Sequence, residues 1–207
     1  DGFHRSREPI QVGAELYGEA GASADLEVLR LLMDALAAAK LADVQLDIGH
    51  VGVYRALAQA AGLTGDTEHK LFGALQAKDA TEVAALTAAL PQDLRAAFAA
   101  LPQLYGDRAV LVEARARLPR LPAVTAALDT LQAMADGLAG VDAAYDLAEL
   151  RGYGYHSGIV FAAYTNGRSQ AIAQGGRYDE VGKVFGRARP ATGFSLDLRE
   201  LARASSV

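Results

Sequence analysis

The feature that most constrains this chain is a pair of β-forming runs, residues 159–164 and 169–173, separated by Thr165-Asn166-Gly167-Arg168. Asn-Gly between two apolar, alternating runs is a strong local hairpin signal, because both residues tolerate positive φ. One end of this hairpin carries Arg151, Tyr153, Tyr155 and His156, and the other carries Gly175, Gly176, Arg177 and Tyr178. Antiparallel pairing brings the ends together, setting two guanidiniums and several phenols over one patch of sheet. Paired glycines let a backbone approach a ligand closely, and arginine offers forked donors to a carboxylate or phosphate. The same pattern also fits a hairpin whose Gly-Gly is a bulge and whose arginines are solvated.

Upstream, residues 9–17 alternate as a strand, with Ile10, Val12 and Leu16 expected toward the core and Gln11 and Glu15 sharing the other face. An amide and a carboxylate on one face suit an ammonium group, although a wet sheet face shows the same alternation. Ser23 is the expected cap of a helix with Asp25 and Glu27 in its first turn and an apolar stripe of Leu26, Leu29, Met33, Leu36 and Ala37. Residues 44–50 alternate again as a strand. Helices against a mostly antiparallel sheet, an α+β fold, follow from this order.

Between residues 51 and 140 alanine dominates and no β-rich run occurs. The spacing predicts short helices over 53–61, 67–77, 81–90, 92–101, 107–118 and 123–137, with breaks at Gly62-Leu63-Thr64-Gly65, Pro91, Pro102, Gly106 and residues 119–122. The expected organisation is a core in two parts, 1–64 and 141–207, with a helical insertion at 65–140. No fixed period supports a solenoid. Residues 143–150 return to strand, 184–190 read as a loop, and 192–196 lead into a helix bearing Leu198, Leu201 and Ala202.

Composition narrows the function. The 207 residues are 51% hydrophobic, enough for a substantial core, and carry a net charge of −5, so no basic footprint points to nucleic acid. The absence of cysteine excludes disulfides, thiolate metal sites and a cysteine nucleophile, and fits the cytoplasm as the expected location. The four histidines lack metal spacing and no phosphate-loop or dinucleotide fingerprint occurs, so neither metal nor cofactor is expected. The richest apolar stretch, 26–42, is broken by Glu27, Arg30, Asp34 and Lys40, so no membrane span is expected. The chain starts at Asp1 without Met and stops soon after a helical pattern begins, as expected of a piece of a longer protein.

Nothing assembles a nucleophile with a base: His156 and Ser157 are neighbours on a strand-like run and point to opposite faces. A carboxylate, an amide, an arginine and phenols suit a zwitterion instead. Glu15 can meet an ammonium, Arg151 a carboxylate, and tyrosine hydroxyls the remaining polar atoms.

These stretches also carry a resemblance. Arg151-Gly152-Tyr153-Gly154-Tyr155-His156-Ser157-Gly158-Ile159-Val160-Phe161 resembles the histidine-specific signature of histidyl-tRNA synthetases, Arg-Gly-Leu-Asp-Tyr-Tyr-Thr-Gly-x-Val-Phe-Glu, departing from it at Gly154, His156 and Ala162. Gly175-Gly176-Arg177-Tyr178-Asp179 matches a second block of that family, and the run from Arg7 to Glu15 resembles the end of class II motif 2. Residues 193–201 resemble motif 3, Gly-Phe-x-x-Gly-x-Glu-Arg-Leu, with Asp197 at its second glycine and Glu200 at the arginine that holds ATP phosphate.

The resemblance implies a class II aminoacyl-tRNA synthetase-like antiparallel sheet flanked by helices. It implies an amino-acid pocket of Gln11, Glu15, Arg151, Tyr155 and Tyr178, and at Glu200 a degenerate ATP position. Arg199 does not substitute, since one residue turns a helical side chain by about 100°. Loss of adenylation makes the chain similar to the non-catalytic paralogues of this family that serve as regulatory subunits of ATP phosphoribosyltransferase. That likeness implies activation and histidine feedback control of a short-form catalytic subunit as partner, a homodimer within a hetero-oligomer, and histidine as effector. The alternatives are a fragment of an active histidyl-tRNA synthetase and an interaction scaffold with a vestigial pocket.

Overall fold

A computed structural model describes residues 10–41, 43–165 and 170–205. The first part of the chain gives β1 (Gln11–Tyr17), α1 (Ala22–Ala38), β2 (Val44–His50) and α2 (Val51–Ala60). Helices α3 (Gly65–Gln76), α4 (Ala80–Thr87) and α5 (Gln92–Ala100), the short strand β3 (Tyr105–Gly106), and helices α6 (Ala109–Arg117) and α7 (Pro122–Gly137) follow. The chain then returns to the sheet as β4 (Ala143–Asp146), β5 (Ile159–Thr165), β6 (Ala173–Arg177) and β7 (Ala191–Asp197), and ends in α8 (Leu198–Ser205).

The strands form one sheet in the order β1-β7-β6-β5-β2-β4-β3, antiparallel except for β2 beside β4. That parallel pair has a physical cause. A parallel neighbour needs a long crossover, which the helices from α2 to α7 supply, whereas tight turns make antiparallel pairs. One sheet face is apolar: Leu46 and Ile48 of β2, Phe161 of β5 and Phe194 and Leu196 of β7 share a core with Leu29 and Leu32 of α1 and Leu128 and Leu131 of α7. The same core runs on to Tyr54 of α2, which meets Phe72 and Phe98 edge-on and donates a hydrogen bond to the Glu68 carbonyl at 2.7 Å. No helix among the described residues is long and apolar enough to cross a membrane.

Several expectations shift. The turn residues Asn166, Gly167 and Arg168, and Ser169, lie outside the described residues. The second strand of the hairpin is Ala173–Arg177, displaced toward the C-terminus, with Val160 opposite Gly176 and Phe161 opposite Gly175. Glycine is a weak strand former, but β6 is sandwiched between two strands, and β7 fixes its register from the other side. Ile10 and Val12 are exposed, at 51% and 48%, rather than in the core. Strand β1 is the sheet edge, and the apolar side chains it lends to the core are Ala14 and Leu16. Residues 191–197 form a full strand, β7, before the final helix, and β4 ends at Asp146 rather than continuing to Leu150.

Helix α1 starts two residues earlier than Ser23 allows as cap: Gly21 is the N-cap, and the buried stripe runs through Val28, Leu29, Leu32 and Leu36, leaving Leu26 and Met33 only partly buried. At α4 the cap is Asp79, whose carboxylate accepts from the Glu82 amide at 3.0 Å.

His50 joins β2 to α2. Its Nδ1 accepts from the Gly52 amide at 3.0 Å, so the imidazole caps α2 in its neutral form, and burial lowers its pKa from 6.5 to about 4. The unfolded chain takes a proton near pH 6.5 while the folded chain waits until about pH 4. Stability is therefore lost as pH falls through that interval, by at most about 3 kcal/mol. His50→Asn keeps a capping acceptor without a titrating group. Urea denaturation at pH 7 and pH 5 is expected to show a smaller acid penalty for the variant; equal penalties would assign the effect to other groups.

Candidate functional site

The face of the sheet opposite the core holds a cavity of about 300 Å³. Its floor follows from register. Glu15 lies opposite Gly193, Gly193 opposite Gly176, and Gly176 opposite Val160, so a row across four strands carries two positions without side chains. Neither glycine tolerates a substituent: a Cβ on Gly193 would meet the Ala14 carbonyl at 2.7 Å, and one on Gly176 the Ile159 carbonyl at 2.4 Å. The next row adds Ser195 and Gln174. The result is a trough with Glu15 at one end.

The far wall comes from the segment between β4 and β5. Glu149, Arg151, Gly152, Tyr155 and His156 line the cavity. Gly152, at φ 65°, makes the turn, and the Tyr155 and His156 amides both donate to its carbonyl. Arg55 of α2 holds the segment from behind, donating to the Tyr153 carbonyl at 3.2 Å and the His156 carbonyl at 3.0 Å with its guanidinium 5.0 Å from the Tyr153 ring centre. The Arg151 guanidinium donates to the Tyr164 hydroxyl at 2.8 Å and faces Glu149 at 3.4 Å, which fixes its direction. His156 contacts the Arg177 carbonyl through Nδ1 at 3.3 Å, and burial lowers its pKa, so the ring is neutral at pH 7.

Three phenols gather around Glu15. Tyr178 is 7% exposed and its hydroxyl, close to Glu15 and Tyr17, makes no hydrogen bond of ordinary geometry among the described residues; burial first, then Glu15 and Tyr17, raise its pKa. Tyr155 stacks on it at 5.0 Å and 30°. Tyr17, on the same face of β1 as Glu15, donates its hydroxyl to the Glu15 carboxylate. A buried hydroxyl without a partner costs about 1–3 kcal/mol, which a ligand atom in the cavity recovers.

The structure thus brings together Glu15, Arg151, Tyr155 and Tyr178 and leaves Gln11 out: Gln11 lies opposite Asp197 on an exposed stretch of β1 and does not line the cavity. Glu200 does not line it either. Asp197 has a local purpose, its carboxylate accepting from the Arg199 and Glu200 amides at 2.9 and 3.2 Å to cap α8. Arg177 does not reach the cavity with its guanidinium, contrary to the expectation of two arginines over one patch. It is buried behind β6, bonded to both oxygens of Asp25 at 3.0 and 3.1 Å, to the Glu19 and Gly21 carbonyls and to Asp179. Burial pushes the Asp25 carboxyl up from its ordinary value against the pull of that guanidinium.

Tyr153 likewise turns away, donating to Glu68 of α3 at 2.7 Å and packing on Tyr54. Ser157 is not paired with His156; its hydroxyl accepts from the Asp179 amide. Sequence reasoning missed Tyr17, which its two-residue spacing from Glu15 could have revealed, and Glu149 and Arg55, which had no local signal.

A largely antiparallel sheet with helices on one face and an amino-acid-sized polar trough on the other defines a class II aminoacyl-tRNA synthetase-like core. The chain belongs to the histidyl-tRNA synthetase family, whose model matches residues 1–201. It is 74% identical over its whole length to the ATP phosphoribosyltransferase regulatory subunit of Thiobacillus denitrificans, covering 64% of that protein. It is 57% identical to the subunit of the same name from Ralstonia nicotianae, matching 100% of this chain and 53% of the relative. A crystal structure of an ATP phosphoribosyltransferase regulatory subunit/histidyl-tRNA synthetase from Bacillus halodurans superposes with a TM-score of 0.85 at 30% identity, over 95% of this chain and 53% of that one. The chain therefore spans between about half and two thirds of the length of these relatives.

Proposed function

We propose that this chain is the synthetase-like core of a regulatory subunit that binds histidine in the trough and passes its occupancy to the short-form catalytic subunit of ATP phosphoribosyltransferase. The observation that carries this reading is the meeting of Glu15, Arg151 and the unpartnered Tyr178 hydroxyl in one cavity, a set matched to the ammonium, the carboxylate and a further polar atom of an amino acid. The names of the two bacterial relatives support the transferase as partner. We propose further that the subunit is a homodimer within a cytoplasmic hetero-oligomer, and that 65–140 is an insertion between core parts 1–64 and 141–207. Support for the insertion is that β2 and β4 are neighbours in the sheet although that region separates them in sequence.

The subunit is non-catalytic in this reading. At the motif 3 arginine stands Glu200, half-buried and paired with Arg203 one turn further along α8. Replacing a charge-assisted phosphate contact by a carboxylate forfeits about 1.5–3 kcal/mol and adds repulsion. The full-length protein is expected to bind histidine in calorimetry yet to show only background ATP–pyrophosphate exchange with it. Robust exchange would overturn the regulator in favour of a working synthetase.

A further inference from the structure

Glu15 already has a tenant. The Tyr17 hydroxyl, two residues along the same strand, donates to Oε2 of the very carboxylate that faces the trough. Tyr17 is 58% exposed and does not line the cavity, whereas Tyr178, against the same carboxylate, is 7% exposed and makes no hydrogen bond of ordinary geometry among the described residues. The two phenols therefore differ in what a ligand does to them. An ammonium entering the trough brings a full positive charge to the Glu15 carboxylate, to which the Tyr17 phenol offers only a neutral donor. Tyr17 gives up its bond at low cost, because water reaches its hydroxyl. Tyr178 stays buried and needs the ligand to satisfy it.

We propose that Tyr17 is a displaceable stand-in for the ligand's ammonium: it holds the Glu15 carboxylate in the empty pocket and is released to the exposed end of β1 when an amino acid binds. This rests on the amino-acid reading of the trough and adds the way occupancy reaches the surface. Strand β1 is the sheet edge, and Tyr17 is its last residue, beside the Gly18 amide that donates to the Pro190 carbonyl. A phenol freed there changes the face the edge offers to a partner.

The test uses the full-length protein with histidine as the probe. Tyr17→Phe removes the competitor and keeps the ring, so calorimetry is expected to show histidine binding about 2- to 10-fold tighter than in the unaltered protein. Tyr178→Phe removes a donor that only the ligand completes and is expected to weaken binding by a similar factor. In parallel, 3-fluorotyrosine placed at position 17 is expected to shift its 19F resonance on saturation with histidine. Equal or weaker binding by Tyr17→Phe, or an unmoved resonance while histidine binds, overturns the displacement. Absence of histidine binding to the unaltered protein instead brings down the amino-acid reading, and the displacement with it.

Discussion

Glu15→Ala and Arg151→Ala are each expected to raise the histidine concentration that half-inhibits the reconstituted transferase by about tenfold or more. Removing one member of a desolvated charge pair costs about 2–5 kcal/mol, of which much is the penalty left on its partner. Here the lower end applies, since Glu15 is exposed and the Arg151 side chain is 39% accessible, so water screens part of each loss. The two variants differ in their side effects. Arg151 also holds the Tyr164 hydroxyl and Glu149, so its removal loosens the far wall, while Glu15→Ala additionally frees Tyr17. Inhibition curves normalised to each complex's own uninhibited rate are the measurement. Unchanged midpoints in both variants would place the effector elsewhere in the assembly and leave these residues as inherited remnants.

Asp25→Ala is expected to destabilise the fold by about 3–5 kcal/mol, the cost of breaking a buried ion pair and leaving the other charge with only a partly exposed carboxylate partner. The Asp25 and Arg177 side chains are only 2% and 7% exposed and meet at 2.9 Å. The Glu19 and Gly21 carbonyls and the Asp179 carboxylate, at 3.1 Å and one-third exposed, remain as acceptors for the guanidinium, so the lower end of that range applies. Arg177 ties the start of α1 to β6, directly behind the glycine row, so the loss is expected to appear in the trough as well. Chemical denaturation beside Lys78→Ala provides the contrast. Lys78 pairs with Asp146 at 3.1 Å but its side chain is 47% exposed, and such pairs contribute about 0–1 kcal/mol. A loss below about 1 kcal/mol for Asp25→Ala would mean that the site relaxes to hydrate Arg177.

How legible each part was depends on the range of the force that fixes it. Alternation alone placed β2 at residues 44–50, and proline and glycine breaks placed the helices from α2 to α7 to within a few residues, because those signals act between near neighbours. The hairpin partner of β5 was offset because its register is imposed by β7, a strand distant in sequence. The exposure of Ile10 and Val12 was equally hidden, since alternation tells which residues share a face but not whether anything covers it.

By itself the sequence determined which groups were available: one carboxylate at Glu15, one arginine at Arg151, a set of tyrosines, paired glycines and no thiol. It also determined their faces within each strand, which the two-residue repeat dictates. Only the tertiary structure decided that Arg151 faces the cavity while Arg177 is consumed by Asp25, and that Tyr155 and Tyr178 join Glu15 while Tyr153 leaves for Glu68 and Gln11 stays outside. The reason is physical. A side chain's partner is chosen by which elements the sheet order makes neighbours and by the need to neutralise every buried charge, and Asp25 lies far from Arg177 along the chain.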